Sequence, residues 1–233
     1  MAGDEAAHNR SFDSDAANFR IRAWSTPDHG LIMVVFANRL EDALAQTRRC
    51  FQLFEGRDDL ISTLDAAAKQ VDVPAMIIGA AAMPKYAYNR ATEDIDIVTS
   101  VDDAYKLGDH LQTIGEFEFI GHSKFKHRSG IDVNFCPTGV IAGHCKFPTP
   151  ESTNPGLTHA SLPMLLALKA QANRYKDRAD FVELVKRNKL SMEYLEQNVF
   201  PKLSTFYQQL ASKLWQSAQE ELSEELDRAE IFV

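Results

Sequence analysis

The feature that most constrains the fold of this chain is a pair of aspartates, Asp94 and Asp96, that flank a single isoleucine. Side chains alternate between the two faces of a β-strand, so in an extended segment both carboxylates point to one face. The isoleucines of the same segment, Ile95 and Ile97, then point into the core. Two like charges on one face repel each other, and a bound divalent cation makes the arrangement favourable. The pattern therefore indicates a strand with a metal site, and the alternative is a solvated strand end.

A third acid, Asp132, has similar surroundings, with apolar residues on both sides of it in the segment 131–135. Period-two alternation places Asp132 and Asn134 on one face of a second strand. If this strand pairs beside the first, three carboxylates converge at Asp94, Asp96 and Asp132. Hard cations such as Mg²⁺ and Mn²⁺ prefer oxygen ligands and are commonly shared with substrate phosphates. The set therefore favours phosphoryl or nucleotidyl transfer over peptide hydrolysis.

Hydrophobic periodicity predicts a fold of class α+β, with a mixed β-sheet and flanking helices followed by a helical C-terminal half. The predicted helices span residues 37–54, 59–70, 80–87, 103–114 and 161–187, with another near Ser191 and a long one over 202–229. The predicted strands span residues 75–78, 95–98, 117–120 and 131–135. Between the last two strands we expect a basic loop with Lys124, Lys126, His127, Arg128 and Gly130, and after them a loop or linker over 137–154.

These patterns divide the chain into four segments. They are a mobile N-terminal tail (1–18), an N-terminal extension with a hairpin and a helix (19–56), a core (57–150) and a helical region (151–233). The expected hairpin joins two short strands, Phe19–Trp24 and Leu31–Phe36, through a turn-like segment. Ser100 is expected to cap the helix that Gly115 closes.

Composition narrows the partners and the compartment. A formal net charge of −8 disfavours broad attraction to nucleic acid, although a local basic patch is still able to engage one. Three cysteines without C-x-x-C spacing predict neither a disulfide framework nor a zinc site. No apolar run approaches the roughly 20 residues that a membrane span needs. We therefore expect a cytoplasmic protein with no membrane partner.

The order of these elements resembles the nucleotidyltransferase superfamily typified by DNA polymerase β. The resemblance rests on the turn Gly79-Ala80 after an apolar strand, Asp-x-Asp thirteen residues later, and the lone Asp132. The surrounding residues, which include Tyr88, Arg90 and Thr92, are similar to the bacterial abortive-infection (AbiEii-type) nucleotidyltransferase toxins over about residues 60–185.

The resemblance implies a nucleotidyltransferase core in which Asp94 and Asp96 hold two metal ions, Mg²⁺ or Mn²⁺. Asp132 would share one ion and help deprotonate or orient the attacking hydroxyl. Backbone N–H groups at Gly79 and Ala80 would cradle the triphosphate of an NTP. The family usually has Gly or Ser where this chain has Ala80. The affinity for nucleotide, or the choice of nucleotide, is therefore expected to differ from that of the family.

A later segment, residues 168–180, resembles the helical Lys-to-Asp motif of the same toxins. Lys169, Asn173, Lys176 and Asp180 are spaced by four, three and four residues and share one helical stripe. Lys169 or Lys176 would reach phosphate oxygens, and the nearby Asp residues would position them or touch base and ribose. The alternative is a solvated helix face.

Several other signals have two interpretations. Arg90 and Thr92 either bind phosphate or only fix the loop before the Asp94 strand. The Lys124–Arg128 cluster either guides an RNA acceptor or is a soluble hairpin tip. His122, His127 and His144 lack metalloprotease spacing, so we expect surface or core histidines. Asp-x-Asp also opens phosphatases of the haloacid-dehalogenase type, but an apolar strand precedes the first Asp there and is absent here.

The predicted function is transfer of a nucleoside monophosphate from an NTP to a hydroxyl on RNA such as tRNA, a protein or a small molecule, with a toxin-like role. The alternative from another class is a protein that keeps the fold without the activity. It would act as a nucleotide-binding or protein-binding module of a two-component system, with a cognate partner protein.

Overall fold

The computed structural model describes residues 10–12, 21–23 and 56–230. The chain forms two compact units, residues 1–52 and 53–233. In the first unit, Arg10–Phe12 (β1) pairs antiparallel with Ile21–Ala23 (β2). The expected strand Leu31–Phe36 and the expected helix over 37–54 lie outside the described residues.

A six-stranded mixed sheet organises the second unit. Its strands are β3 (Pro74–Ile78), β4 (Asp94–Thr99), β5 (Phe117–Gly121), β6 (Lys124–His127), β7 (Asp132–Pro137) and β10 (Gly156–His159), and β8 (Ile141–Ala142) and β9 (Cys145–Lys146) form a separate hairpin. The order across the large sheet is β10-β3-β4-β7-β6-β5. β10 runs parallel to β3 and β4 runs parallel to β7, while the other neighbours are antiparallel. The predicted mixed sheet is confirmed.

Helices flank this sheet and make up most of the C-terminal half. They are α1 (residues 56–70), α2 (Val101–Ile114), α3 (Leu162–Ala172), α4 (Tyr175–Arg187), α5 (Met192–Asn198) and α6 (Thr205–Glu230), with 3-10 helices at Gly79–Tyr86 and Phe200–Lys202. The α+β class is therefore confirmed. None of the helices in the described part of the chain has the length and apolar character to cross a bilayer.

The ends of α2 follow from its sequence. The Ser100 hydroxyl accepts a hydrogen bond from the Asp103 backbone N–H at 3.1 Å, as an N-cap does. Gly115 has a φ of +76°, the left-handed conformation that ends many helices. Both predicted caps are confirmed. α2 packs closely on the sheet at Gly108, where a Cβ would lie 2.9 Å from the ring of Phe125.

The core lies between these layers and confirms the predicted alternation. Ile95, Ile97 and Val133 are fully buried, as are Leu107 and Leu111 of α2. Burial of apolar area is the main term that stabilises such a unit. The aspartates between the buried isoleucines therefore have to point to the other face of the sheet.

The expected basic loop is wrong, because residues 124–127 form strand β6. Lys124-Phe125-Lys126-His127 alternates with period two, and only Phe125 is buried deeply, with 4 % exposure. Charged residues on the open face of a strand near a sheet edge disguised the pattern. The expected linker over 137–154 likewise contains the β8–β9 hairpin. The sheet also has an edge strand, β10, that the sequence pattern missed.

The single helix predicted over 161–187 is also wrong, since two helices fill this span. α3 ends before Asn173, which has a φ of +53°, and α4 begins at Tyr175. Asn adopts the left-handed conformation more readily than most residues. Tyr175, the first residue of α4, is 91 % exposed. The small helix expected over 80–87 is a 3-10 helix over Gly79–Tyr86.

Candidate active site

Strand pairing brings the three acids together. In the parallel pair of β4 and β7, Asp94 is the register partner of Asp132, and Asp96 is the partner of Asn134. Register partners on neighbouring strands point to the same face of a sheet. The expected pairing is therefore confirmed, and Asp94, Asp96 and Asp132 form what we call the acid patch.

The glycine bend lies directly against this patch. β3 ends at Ile78, the register partner of Asp96, and the chain turns at Gly79 with a φ of +67°. A Cβ on Gly79 would lie 2.8 Å from Asp96 Oδ2, so only glycine permits both this backbone conformation and this approach. Ala80, the next residue, is buried at 7 % exposure in the first turn of the 3-10 helix.

The surroundings of Asp96 raise the pKa of its carboxyl group. Burial raises its pKa above the ordinary value, and the negative charge of Asp94 raises it further. Asn134 opposes this shift, because its Nδ2 donates a hydrogen bond to Asp96 Oδ1 at 2.9 Å. The positive charges of Lys169 and Lys176 also oppose it. Asp96 thus lies where a like charge is unfavourable and a cation is favourable.

The other two acids differ in their partners. Thr92 Oγ1 donates a hydrogen bond to Asp94 Oδ1 at 2.6 Å, which fixes that carboxylate at the start of β4. Within residues 56–230, no side chain donates to the Asp132 carboxylate. Asp132 is therefore the acid of the patch that lacks a side-chain donor in this range, while Asp94 and Asp96 each accept one such hydrogen bond.

The composition of the patch fits a hard cation. All of the side-chain atoms in the patch that are able to bind a metal ion are oxygens. Beside them, Asn134 Oδ1 is a buried acceptor without a hydrogen-bond partner in the described residues. In the described part of the chain, no three His, Cys, Asp or Glu side chains are grouped closely enough to hold a metal ion by themselves. Mg²⁺ is usually held by one or two carboxylates together with water and substrate phosphates.

A buried cluster of charges stands beside the patch on α3 and α4. Lys169 Nζ contacts Asp177 Oδ1 at 3.1 Å and Asp180 Oδ2 at 2.6 Å. Arg90 donates to Asp180 from Nε at 2.8 Å and from Nη2 at 3.0 Å, and Arg174 Nε donates to Asp177 at 2.6 Å. We call these five residues the ion cluster. It ties the loop before β4 to the helix pair.

The ion cluster keeps its two carboxylates charged. Burial opposes ionisation of Asp180, but hydrogen bonds from Arg90 and the charge of Lys169 outweigh it and lower the pKa of Asp180. Burial of Asp177 is likewise outweighed, chiefly by the hydrogen bond from Arg174 and by the charge of Lys169, so the pKa of Asp177 is lowered. Both pKa values are therefore lowered despite burial.

The residues predicted to bind nucleotide fall into two groups. Gly79 and Ala80 are at the bend, and the exposed Lys176 is near enough to Asp96 to affect its pKa. Arg90, Thr92 and Lys169 direct their polar groups to protein partners instead. For Arg90 and Thr92, these contacts correspond to the loop-fixing alternative.

Two residues near the patch were not among the predicted site residues. Asn134 bonds Asp96 and has an unpaired oxygen; its period-two spacing from Asp132 was the available signal. Arg174 precedes α4, and the charges of Asp96 and Asp94 contribute to raising its pKa. No sequence pattern marked Arg174, because the helix break before it was not predicted.

Replacing Asp94 with Asn is expected to lower the pKa of Asp96, because the variant removes the neighbouring negative charge but keeps the size of the side chain. Titration of the carboxyl ¹³C resonances by NMR, in the absence of divalent metal, measures the shift. The matched control is Asp109→Asn, an exposed position on α2. An unchanged pKa of Asp96 in Asp94→Asn would show that the two carboxylates do not interact.

Comparison with known proteins finds similarity to solved structures. No protein-family model matches the chain, and no curated protein matches it. A solution structure of the antibiotic-resistance factor ANT(2'')-Ia is 14 % identical, covers 73 % of this chain and 96 % of its own, and has a TM-score of 0.38. A crystal structure of ANT(2'')-Ia in complex with adenylyl-2''-tobramycin is 14 % identical, covers 70 % and 97 %, and has a TM-score of 0.36. Likenesses this low carry no argument about fold or function.

Proposed function

We propose that this chain is a nucleotidyltransferase that depends on Mg²⁺ or Mn²⁺ and transfers a nucleoside monophosphate from an NTP to a hydroxyl acceptor. The observation that carries the proposal is the parallel register of β4 and β7. It sets Asp94 beside Asp132, and the pairing of β3 with β4 places Asp96 against the Gly79 bend. Carboxylates on one face next to a glycine turn suit phosphoryl chemistry, which is mostly positioning and charge stabilisation.

Asp94 and Asp96 would hold two cations, one of them shared with Asp132. Such ions neutralise charge on the attacking and leaving oxygens of an in-line displacement. Asp132, which has no described partner, orients the acceptor hydroxyl and takes its proton. The hydroxyl oxygen bonds to the α-phosphorus, the bond from that phosphorus to the bridging oxygen breaks, and pyrophosphate leaves. The backbone at Gly79 and Ala80 and the Lys176 ammonium bind the triphosphate.

The ion cluster and Thr92 act on this reaction by positioning. Thr92 holds the Asp94 carboxylate, and Arg90 fixes the same loop to Asp180 on α4. Lys169 then holds α4 against α3 through its two carboxylate partners. Since catalytic groups have to be placed within a fraction of an ångström, these contacts preorganise the site.

The acceptor we propose is an RNA such as tRNA, with a protein or a small molecule as the other candidates. The similarity of residues 60–185 to the abortive-infection toxins supports the toxin-like role. A cognate partner protein belongs to the same proposal, as in a toxin and antitoxin pair.

The second candidate is a catalytically inactive protein that binds nucleotide or a partner protein. The observation that favours it is Ala80, which replaces the Gly or Ser of the resembling family at the bend. Its backbone donor remains, but the conformational freedom of Gly and the hydroxyl of Ser are both absent.

Two measurements on the full-length protein separate these candidates. Isothermal titration with each NTP, with and without Mg²⁺ or Mn²⁺, tests for metal-dependent triphosphate binding. Incubation with α-labelled NTPs, metal and cell extract tests for label transfer. Transfer that depends on Asp94 supports the enzyme. No transfer with any NTP, or the same signal from wild type and Asp94→Ala, contradicts it.

A further inference from the structure

The face that bears the acid patch continues onto β6. In the antiparallel pair of β6 and β7, Lys126 is the register partner of Asp132, and Lys124 is the partner of Asn134. Since register partners share a face, both lysines stand on the side of the sheet that carries the acids. We call Lys124 and Lys126 the lysine pair. Its position follows from strand β6, which replaces the expected basic loop.

The lysine pair makes no polar side-chain contact within the part of the chain that the structure describes. Both side chains are exposed, and no hydrogen bond or ion pair joins either ammonium to another residue in the described ranges. Glu118, the register partner of Lys126 on β5, does not form an ion pair with it. Phe125, between the two lysines, supplies the packing by contacting Gly108 on the opposite face.

Charge from Lys124 reaches the face of β7 that carries Asp132. Cys136 lies two residues beyond Asn134 on the same face of β7. Burial raises the pKa of its thiol, as do the charges of Asp96 and Asp94, and Lys124 is near enough to lower it. The chain carries a net charge of −8, and Lys124 and Lys126, which have no ion pair in the described ranges, supply a local positive field on the β6 side of Asp132. Such a field attracts an anion to this edge of the site.

The two sides of the patch differ in chemistry. On the β3 side the Gly79 bend touches Asp96, and on the β6 side the lysine pair follows Asp132. In the proposed function the NTP occupies the Gly79 side, so the acceptor approaches Asp132 from the β6 side. An acceptor in that position has its reacting hydroxyl at Asp132 and its adjacent group over the lysines.

We propose that the lysine pair binds a phosphate group of the acceptor, so that the acceptor is a phosphate-bearing molecule. This inference rests on the proposed nucleotidyl transfer and adds the chemical class of its acceptor. Lys binds phosphate as a flexible point charge, and two of them accept either a phosphodiester or a phosphomonoester. A polycationic acceptor is repelled by the same two charges.

The test uses full-length protein and three probes. A mixed-sequence single-stranded RNA oligonucleotide represents the phosphodiester source, glycerol 3-phosphate represents the small phosphomonoester, and tobramycin represents a polycationic acceptor. The variant is Lys124→Gln/Lys126→Gln. The matched control is Lys106→Gln. Lys106 is exposed on α2, and this helix packs through Gly108 against the opposite face of the sheet.

Wild type and Lys106→Gln are expected to bind one or both phosphate probes and not tobramycin. The double variant is expected to bind about tenfold more weakly for each lysine removed. If RNA is the source, the plot of log affinity against log salt becomes shallower by about 0.7 for each lysine. If the small phosphate is the source, only glycerol 3-phosphate shows the loss.

Separate titration with a non-hydrolysable ATP analogue and Mg²⁺ tells this inference apart from the proposed function. Metal-dependent analogue binding that is equal in wild type and the double variant, together with loss of phosphate-probe binding, supports the acceptor assignment. Wild-type affinity for the phosphate probes in the double variant overturns it, as does loss of analogue binding alone. Tobramycin binding by wild type also overturns it. A wild type that binds no analogue contradicts the proposed function instead.

Discussion

The Asp132→Asn variant is expected to lose nucleotidyl transfer by about 10²–10⁴-fold, the range typical for removing a group that transfers a proton in the transition state. The substitution keeps the size of the side chain and removes the carboxylate that has no described partner. Since Asp132 begins β7 and no side chain within residues 56–230 donates to its carboxylate, the variant is expected to fold normally. Label transfer from an α-labelled NTP measures the rate, and circular dichroism checks the fold.

The matched control is Asp109→Asn, which removes a carboxylate from the exposed face of α2. Its transfer rate is expected to equal that of wild type. Binding of NTP with metal is expected to weaken less than transfer in Asp132→Asn, because Asp94 and Asp96 remain. A transfer rate in Asp132→Asn equal to that of wild type would contradict the role of Asp132 as the proton acceptor of the reaction.

The second large effect is expected on stability. Lys169 is 6 % exposed, and its two partners, Asp177 and Asp180, are each 1 % exposed. Lys169→Met keeps most of the side-chain volume but leaves the two buried carboxylates with Arg174 and Arg90 as their cationic partners among the described residues. Removing one member of a buried ion pair costs about 3–5 kcal/mol in the free energy of unfolding. Urea denaturation followed by circular dichroism measures the loss.

The pH dependence gives the same cluster a second readout. The pKa values of Asp177 and Asp180 are lowered below the ordinary value of 3.8 in the folded protein. Their ionised forms therefore stabilise the fold above pH 3.8, and this contribution is lost as the pH falls through the lowered values. Lys169→Met raises both pKa values, so the stability difference between wild type and variant is expected to shrink on acidification.

Lys176→Met is the control for Lys169→Met, because Lys176 is exposed on α4 and makes none of the buried contacts. Its free energy of unfolding is expected to stay within about 0.5 kcal/mol of wild type. Its affinity for NTP is expected to fall, since we place Lys176 at the triphosphate. Equal stability of Lys169→Met and Lys176→Met would mean that the ion cluster does not stabilise the helix pair.

The sequence predicted those parts of the site that depend on local alternation. Asp94 and Asp96 share a face because every second residue of a strand does, and the buried Ile95 between them confirms it. The meeting of Asp94 with Asp132 depended on which strands are neighbours. Local periodicity does not show which strands are neighbours, so the sequence predicted the meeting of the acids only if the two strands pair. The parallel register of β4 and β7 fulfils that condition.

The errors share a physical origin in tertiary context. Residues 162–187 have helical periodicity throughout, and the break at Asn173 is visible only in its backbone conformation. That break lets Lys169 of α3 meet Asp180 of α4, where a continuous helix would have offered a stripe to solvent. Strand β6 was missed for a similar reason, since lysines on an open sheet face resemble a polar loop.

The parallel neighbours β4 and β7 have a consequence for how the acidic site comes into being. Asp94 and Asp132 are 38 positions apart in the chain, and a parallel pair always requires a crossover, here through α2, β5 and β6. A fragment of this protein that contains both acids in register therefore has to include the whole crossover. The acid patch is therefore expected to form together with the sheet. A substitution that disrupts the crossover is expected to disrupt both the sheet and the acid patch.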